Sequence, residues 1–267
     1  MNTKIVFFDI DGTLIPFGEN VLPLSTKRSI KKLREKGIKT FVATGKSLAQ
    51  LSATKVMEAE FDGFLTLNGQ LCYDNEFKLF FANPIDSGEM EVLEKVFNAK
   101  KIPFSLVGEF SRYINYVNDV VINRQTETNS QIPSVDEYRG EKIYQITAYV
   151  SKRERELLEG VLDLCTITSW APDAVDIIAK GGGKLNAIKK ILEINNVDIK
   201  DTMAFGDAEN DLLMIENVGV GVAMGNGSDK LKRKANYVTD DVTKDGIEKA
   251  LKHFGLIDWG KYDRFWS

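Results

Sequence analysis

Short apolar runs and amphipathic stretches alternate along the first third of the chain. Residues 4–8 (KIVFF) form the first apolar run, which stops abruptly at Asp9. A continuous apolar run of this length is typical of a parallel strand that is buried on both faces. The next stretch predicts a helix over residues 25–36, with Ser25 as its cap and Gly37 as its stop.

The same alternation continues to residue 67 and returns near the C-terminus. It predicts strands over residues 38–43 and 63–67, with a helix over 47–57 between them. After three glycines at 181–183, it predicts helices over 184–195, 209–217 and 245–254 and strands over 202–205 and 218–223. Alternating strands and helices indicate a parallel sheet with helices on both faces.

The pattern is different between these two parts of the chain. Residues 70–73 and 76–82 predict an antiparallel hairpin that turns at Asp74-Asn75. Beyond the hairpin we predict helices over 87–100 and 152–162 and strands over 103–107, 113–118, 142–150 and 164–169. Residues 123–139 are polar and include Pro133, which predicts a loop with some short structure.

These patterns together predict an α/β fold in which a Rossmann-like parallel-sheet core is interrupted by an insert. The core comprises residues 1–82 and 181–267, and the insert comprises residues 83–180. Runs of strands in the order found in the insert favour a separate α+β domain, and its length is enough for a hydrophobic core of its own.

Composition narrows the partners that this chain can have. The chain has 35 Lys and Arg residues against 39 Asp and Glu residues, a net charge of −4, whereas nucleic-acid binding needs a surplus of basic residues. No apolar run approaches the roughly 18 residues of a membrane span, and the N-terminal residues contain no signal-like apolar segment. We therefore expect a cytoplasmic protein, monomer or homodimer, that binds neither nucleic acid nor membrane.

The scarcest residue types exclude several kinds of chemistry. Cys72 and Cys165 allow at most one disulfide, and free thiols are the expectation in a reducing compartment. The single histidine, His253, ends a predicted helix, which excludes Ser-His-Asp systems, Cys-His systems and multi-histidine zinc sites. The tail is expected to pack on the core, with an oligomer contact as the alternative; its aromatic residues are Trp259, Tyr262, Phe265 and Trp266.

Polar residues follow the first predicted strand, at the edge of the sheet where ligands bind in folds of this class. The sequence there is DIDGT at residues 9–13. Carboxylates directly after a buried strand are costly unless a cation or hydrogen-bond donors compensate them. Asp9 and Asp11 are two positions apart in an extended segment, so they point the same way and can serve one site. A helix cap or an Asp-Gly turn at Asp11-Gly12 is the alternative.

Three further clusters stand near the ends of predicted strands. Thr44 and Gly45 open a helix with a hydroxyl and backbone amides, which suit a phosphate oxygen but also an ordinary helix start. Lys184 begins a helix after the glycines, as a lysine that binds an anion or as a surface lysine. The sequence GDAEND at residues 206–211 offers three carboxylates and an amide, typical of a site for a hard divalent cation. Alternatively, Asp207 or Asn210 caps the following helix.

The four clusters, in this order, resemble the motifs of the haloacid dehalogenase superfamily of phosphotransferases, in its Cof-type branch of class IIB. The first to fourth motifs correspond to DIDGT at 9–13, Thr44-Gly45, Lys184 and GDAEND at 206–211, with weaker matches at LNG (67–69) and AMGN (223–226). The resemblance covers the predicted core and implies a C2-type cap for the insert, which matches in position and size only. Two residues depart from the family pattern: Lys46, where arginine is common, and Leu185, where glycine is usual.

The resemblance implies a role for each matching residue. Asp9 is the expected nucleophile, which forms an aspartyl-phosphate, and Asp11 is the expected general acid and base. Mg²⁺ is the expected cofactor, with ligands from Asp9, Asp207, the backbone carbonyl of Asp11 and, in or near the shell, Asp211. Thr44 and Lys184 are expected to hold the phosphoryl group; the other predicted phosphate-binding residues are Gly12, Gly45 and Asn210.

The resemblance also implies what the insert does: as a lid, it would read the leaving group of a small phosphorylated metabolite, most plausibly a sugar phosphate. Candidate specificity residues in the insert are Arg112, Tyr116, Lys142, Trp170 and Asp173. We expect a Mg²⁺-dependent phosphatase. A phosphomutase and a non-catalytic binding protein are the alternatives that stay open, whereas a receiver domain is disfavoured because receivers have no large insert.

Overall fold

Two separate β-sheets organise residues 2–258, the part of the chain described by this computed structural model. The strands, numbered in chain order, are β1 Ile5–Phe8, β2 Lys39–Ala43, β3 Gly63–Thr66, β4 Leu71–Asp74, β5 Leu79–Ala82, β6 Phe104–Val107, β7 Arg112–Ile114, β8 Ser134–Val135, β9 Gln145–Tyr149, β10 Cys165–Ala171, β11 Ala174–Ala179, β12 Thr202–Gly206, β13 Val220–Ala223 and β14 Tyr237–Val238. The helices are α1 Leu24–Glu35, α2 Leu48–Ser52, α3 Ser87–Ala99, α4 Asp119–Glu127, α5 Lys152–Glu159, α6 Lys184–Asn195, α7 Leu212–Asn217, α8 Asp229–Lys232 and α9 Gly246–His253.

The first sheet has the order β14-β13-β12-β1-β2-β3-β4-β5. Its pairs from β14 to β3 are parallel, and β4 and β5 add the antiparallel hairpin that the sequence predicts. Alternate residues of β1 enter different hydrophobic clusters: Phe8 packs with residues of α1 and α9, and Phe7 with residues of α6 and α7. Burial on both faces explains the continuous apolar run, and the predicted α/β fold class is confirmed.

The second sheet has the order β10-β11-β9-β6-β7-β8, and all of its strands come from the insert. One face of this sheet packs against α3 and α5, through side chains such as Leu93 and Leu158. The insert thus has a hydrophobic core of its own, and its boundaries at residues 83 and 180 stay a prediction. We refer to residues 83–180 as the cap.

Two helix predictions near the N-terminus need correction. Ser25 does not cap α1; Pro23 precedes the helix, and the Ser25 hydroxyl lies inside it and donates to Asp245 Oδ1 at 2.6 Å. The helix predicted over 47–57 is also shorter, because α2 ends at Ser52 and a separate 3₁₀ turn follows at Lys55–Glu58. The Ser52 and Thr54 hydroxyls donate to backbone carbonyls at this break and so compete with the helical hydrogen bonds.

Other differences concern short or polar elements. The stretch 123–139 contains the end of α4, capped by Asn118, and the two residues of β8. The helix predicted over 209–217 starts as a 3₁₀ turn, Glu209–Asp211, before α7. Strands β11 and β14 and helix α8 have no counterpart in the prediction. The aromatic tail residues from Trp259 onward lie outside the described residues.

Three features that the sequence raised have a counterpart among the described residues. No helix among residues 2–258 is long and apolar enough to cross a membrane. Cys72 and Cys165 are both free thiols, and burial raises the pKa of each to about 12. His253 lies in the last turn of α9, where its ring stacks on Tyr237 with 4.4 Å between the ring centroids.

Candidate active site

The motif residues meet at one edge of the first sheet because β12, β1 and β2 are adjacent and parallel. Asp9 and Asp11 follow β1, Thr44 and Gly45 follow β2, and Asp207 follows β12. Together with Lys46 and Asn210, these residues line one cleft between the sheet edge and the cap. Residues as far apart in sequence as Asp9 and Asn210 therefore line the same cleft.

Lys184 lies at the centre of the site. Its side chain is 1% exposed, and its Nζ lies 2.6 Å from Asp9 Oδ1 and 2.6 Å from Asp211 Oδ1. The alternative of a surface lysine is therefore wrong. Burial lowers the pKa of Lys184, but the carboxylates of Asp211 and Asp9 outweigh burial and hold the pKa above its ordinary value. The first turn of α6 thus delivers a fixed positive charge to the end of β1.

The carboxylates around Lys184 exceed the positive charge that it provides. Burial raises the pKa of Asp9 to about 7; Lys184 opposes this shift, while Asp211 and Asp11 add to it. Burial, Asp9 and Asp211 also hold the pKa of Asp207 well above its ordinary range. Such a cluster of buried carboxylates is stabilised by a cation.

The three acids of this cluster fit a divalent metal ion. Asp9, Asp207 and Asp211 each offer one carboxylate oxygen, and these three atoms lie within 4.8 Å of one another. Oxygen ligands of this kind suit Mg²⁺. Asp211 has further partners, since Oδ1 accepts from Lys184 and Oδ2 accepts from the backbone N–H groups of Asp207 and Ala208 at 3.0 and 3.1 Å. Asp211 therefore orients the loop that carries Asp207.

The loop after β12 has a different cap from the one that the sequence suggested. Neither Asp207 nor Asn210 accepts a capping hydrogen bond at the start of the following helical turns. The carboxylate of Asp211 binds the backbone amides there instead. The side chain of Asp207 is left to face Asp9, and its Oδ1 accepts from the hydroxyl of Thr13 at 3.2 Å.

Gly12 allows Asp207 to approach the first motif. Gly12 has a φ of +82°, and a Cβ placed on it would lie 2.4 Å from Asp207 Oδ2. Its carbonyl accepts from the amide of Asn226 at 2.8 Å, within the weaker motif match at 223–226. The proposed Asp-Gly turn is thus present at Gly12, and it coexists with Asp9 and Asp11 in the cleft.

Lys46 is the residue where the chain departs from the family pattern, and it lies in the site. Its Nζ is 2.9 Å from Asp11 Oδ2, and the pair lines the cleft. The hydroxyl of Thr44 accepts from the backbone N–H of Lys46 at 3.1 Å, which fixes the turn. Ser47 then caps α2 through a capping box with Gln50. The other departure, Leu185, does not line the cleft.

The cap contributes a polar face to the same cleft. Of the five candidate specificity residues, Arg112 and Trp170 line the cleft, whereas Tyr116, Lys142 and Asp173 do not; Asp173 pairs with Arg124. Four further cap residues line the cleft although the sequence did not single them out: Gln125, Gln145, Thr147 and Asp176. The alternation of polar and apolar residues along β9, and a lone acid among the apolar residues of β11, were the available signals.

Asn68, in the weak motif match at 67–69, connects the cap to the core. It is 2% exposed, and its Nδ2 donates to Gln145 Oε1 at 2.9 Å and to Asp176 Oδ2 at 3.0 Å. Its Oδ1 accepts from Asn210 Nδ2 at 3.0 Å. The predicted phosphate-binding residue Asn210 is therefore held by Asn68, and one of its N–H groups is engaged.

Two adjoining cavities make up the cleft. The cavity that contains Asp9 and the polar cap residues has a volume of about 140 Å³. The second cavity has a volume of about 470 Å³, and both are lined by Asp11, Lys46 and Arg112. Their combined volume suits a small molecule. Chemically, the site combines several carboxylates, two lysines and three acids that could hold a metal ion.

Comparisons with known proteins agree on one family. A model described as haloacid dehalogenase-like hydrolase matches residues 6–251. YkrA of Bacillus subtilis (strain 168), a candidate phosphatase, is 33% identical over 261 residues, covering 96% of this chain and 100% of YkrA. Among solved structures, the subclass IIB sugar phosphatase BT4131 shares 30% sequence identity with this chain. Its structure matches with a TM-score of 0.87, covering 96% of this chain and 100% of that chain. The structure of BT1666 from Bacteroides thetaiotaomicron, a phosphatase of the same superfamily, is 27% identical with a TM-score of 0.88, covering 96% of each chain.

Proposed function

Because the chain belongs to the haloacid dehalogenase-like hydrolases and is a phosphatase of that family, we propose that it hydrolyses small sugar phosphates through an aspartyl-phosphate on Asp9, with Mg²⁺ as cofactor. The observation that carries the proposal is the buried cluster in which Lys184 bridges Asp9 and Asp211 beside Asp207. This cluster concentrates charge where a phosphoryl group must bind.

In the first step, an oxygen of Asp9 attacks phosphorus while the bond from phosphorus to the ester oxygen breaks. Lys184 holds Oδ1 of Asp9 at 2.6 Å, so the attack comes from Oδ2. Asp11 donates a proton to the departing ester oxygen, which leaves as an alcohol. Thr44, Gly45 and Lys184 hold the phosphoryl oxygens, since positioning and charge are most of what phosphoryl transfer needs.

In the second step, water attacks the aspartyl-phosphate and Asp11 takes its proton. The bond between phosphorus and Asp9 breaks, which releases inorganic phosphate and regenerates the carboxylate. The cycle returns Asp11 to its protonated form. Lys46, 2.9 Å from Asp11, is placed to bind a phosphoryl oxygen when Asp11 carries the proton.

A bound Mg²⁺ would neutralise the carboxylates and the phosphate dianion, which lets two negatively charged groups approach. Asp9, Asp207 and the backbone carbonyl of Asp11 would hold it. Asp211 would be a ligand or a direct neighbour of the ion; its hydrogen bonds to Lys184 and to two backbone amides favour the second role. Thr13 orients Asp207 through its hydroxyl.

The polar face of the cap supports a leaving group that carries hydroxyls. Arg112 offers donors and Trp170 offers an apolar ring in the same cleft. A sugar presents this combination of hydroxyls and apolar ring faces. The combined size of the two cavities also favours a small molecule over a phosphorylated protein.

The test is a phosphate-release screen of the purified protein against sugar phosphates, nucleotides, and flavin and pyridoxal phosphates, with Mg²⁺ and with EDTA. We expect release from sugar phosphates that depends on Mg²⁺. Release that requires a second, phosphorylated sugar would support a phosphomutase instead. No release in the whole panel, with Mg²⁺ binding shown separately, would support a binding role.

The nucleophile is tested by Asp9→Asn, which has nearly the same shape but no negative charge. We expect at least a thousandfold loss of turnover, or about 4 kcal/mol of barrier, with an unchanged circular dichroism spectrum. Trapping of the labelled phosphoryl group by acid quench should succeed for the wild type only. Activity close to wild type in the variant would refute the assignment of Asp9.

A further inference from the structure

Asn68 lies at a point where three parts of the protein meet. It belongs to the loop between β3 and β4, and it binds Gln145 and Asp176 of the cap on one side. On the other side it binds Asn210 of the fourth motif. Its side-chain amide joins cap residues to this catalytic loop by hydrogen bonds.

The backbone around Asn68 is held in an uncommon conformation. Leu67 and Asn68 have φ values of 50° and 54°, in the left-handed region that residues other than glycine seldom adopt. Leu67 is buried in a small apolar cluster that includes Val107 and Tyr144 of the cap. Packing at the boundary with the cap thus maintains a conformation that directs Asn68 into the cleft.

The second motif is tied to the same cap residues. Gln145 Nε2 donates to the backbone carbonyl of Gly45 at 3.2 Å. A Cβ on Gly45 would lie 3.3 Å from Asn68 Nδ2 and 3.5 Å from Asp176 Oδ2. The turn after β2 therefore fits closely against Asn68 and Asp176, and it is braced by a hydrogen bond from the cap.

Asp176 has partners that orient it toward Asn68. It is 6% exposed on β11, and its Oδ1 accepts from the hydroxyl of Thr147 at 2.9 Å. Its Oδ2 remains for the amide of Asn68. A buried carboxylate with donors on both oxygens is a fixed acceptor, so the position of Asn68 depends on the position of the cap.

We propose that Asn68 is a positioning residue that couples the seating of the cap to the catalytic loops, by bridging Asp176 and Gln145 to Asn210 and Gly45. When the cap is seated, the bridge fixes Asn210 of the fourth motif and the turn of the second motif. When the cap lifts, Asn68 loses both acceptors and these loops lose their common support. The consequence for catalysis rests on the proposed phosphatase function, whereas the bridge itself does not.

A charge swap tests the bridge. Asn68→Asp places a second carboxylate about 3 Å from that of Asp176, where like charges repel. In Asn68→Asp with Asp176→Asn, the amide at 176 donates to the carboxylate at 68, which still accepts from Asn210. Gln145 Oε1 accepts from Asn68 in the wild type, so the Gln145 amide must turn to donate to this carboxylate. Asn68→Ala removes the bridge without adding charge. It replaces Asn68→Asp in the same measurements if Asn68→Asp does not fold. Asn123→Asp, on the exposed side of α4, is the matched control.

Activity is measured at pH 8 on the best sugar phosphate and on acetyl phosphate, whose leaving group has no hydroxyls. We expect Asn68→Asp to lower kcat at least about tenfold on both substrates, and the double variant to recover to within about threefold of Asp176→Asn. A loss confined to the sugar phosphate would mean that these residues contact the leaving group and would overturn the positioning role. Failure of the second substitution to restore activity would do the same.

Cap seating is measured without turnover by small-angle X-ray scattering of the same variants. We expect a larger radius of gyration for Asn68→Asp than for the wild type and Asn123→Asp, and a return to the wild-type value in the swap. If the wild type releases no phosphate, the proposed function fails but scattering still tests the bridge. An unchanged radius in Asn68→Asp overturns the coupling even if the wild type is active.

Discussion

Replacement of Lys184 by methionine keeps most of the length of the side chain and removes its charge. The ammonium group is buried and lies 2.6 Å from a carboxylate oxygen of each of Asp9 and Asp211. Removing one partner of a buried ion pair costs about 3–5 kcal/mol, because the charge left behind is neither hydrated nor paired. Two carboxylates lose their partner here, so we expect the free energy of unfolding to fall by at least this amount near neutral pH.

The pH dependence of this loss follows from the direction of the pKa shifts. The pKa of Asp9 is about 7, above its ordinary value, and Lys184 opposes that rise. A carboxyl group with a raised pKa in the folded state contributes stability at low pH, and this contribution is lost as pH rises through the folded-state pKa. Without Lys184 that pKa rises further, so the penalty of Lys184→Met should be small near pH 5 and larger near pH 8.

The assay is urea unfolding of Lys184→Met and wild type at several pH values with EDTA present, because a bound cation would itself neutralise the carboxylates. Lys180→Met, at an exposed lysine four residues earlier, is the matched control. Turnover of Lys184→Met should fall at least about a hundredfold at pH 7. Equal stability of variant and wild type at pH 8, or a penalty that does not change with pH, would refute the reasoning about buried charge.

Two further predictions concern residues that face the cleft. Gly12→Ala should cost about 1–2 kcal/mol of stability, because its Cβ would lie 2.4 Å from Asp207 Oδ2 at a φ of +82°. It should also lower the affinity for Mg²⁺, measured by calorimetry. The control Gly140→Ala, also at positive φ but in open space, should cost stability without affecting the affinity for Mg²⁺. Burial raises the pKa of Asp176 to about 6, so the wild type should lose stability as pH rises from about 4 to 6. Asp176→Asn cannot titrate and should lack this loss, gaining about 1–3 kcal/mol relative to wild type over the same range in urea unfolding; parallel curves for the two proteins would contradict the shift.

The local pattern of the sequence determined the elements and the edge at which the site lies. Helix α6 spans Lys184–Asn195 as predicted, and the hairpin of β4 and β5 lies where the polar turn at Asp74 indicated. Continuous apolar runs determined the parallel strands, since only strands buried on both faces need them. Because parallel strands end at the same edge, the polar residues after β1, β2 and β12 had to meet there.

The tertiary structure decided which side chains pair, because these contacts depend on how distant segments pack and not on local periodicity. Lys184 could be a surface lysine until its helix is placed against β1, 175 residues away in sequence. Ser25 binds Asp245 across 220 residues, so its hydroxyl is not available to cap α1. The bridge from Asn68 to Asp176 requires the two sheets to face each other, and the local sequence around neither residue indicates its partner.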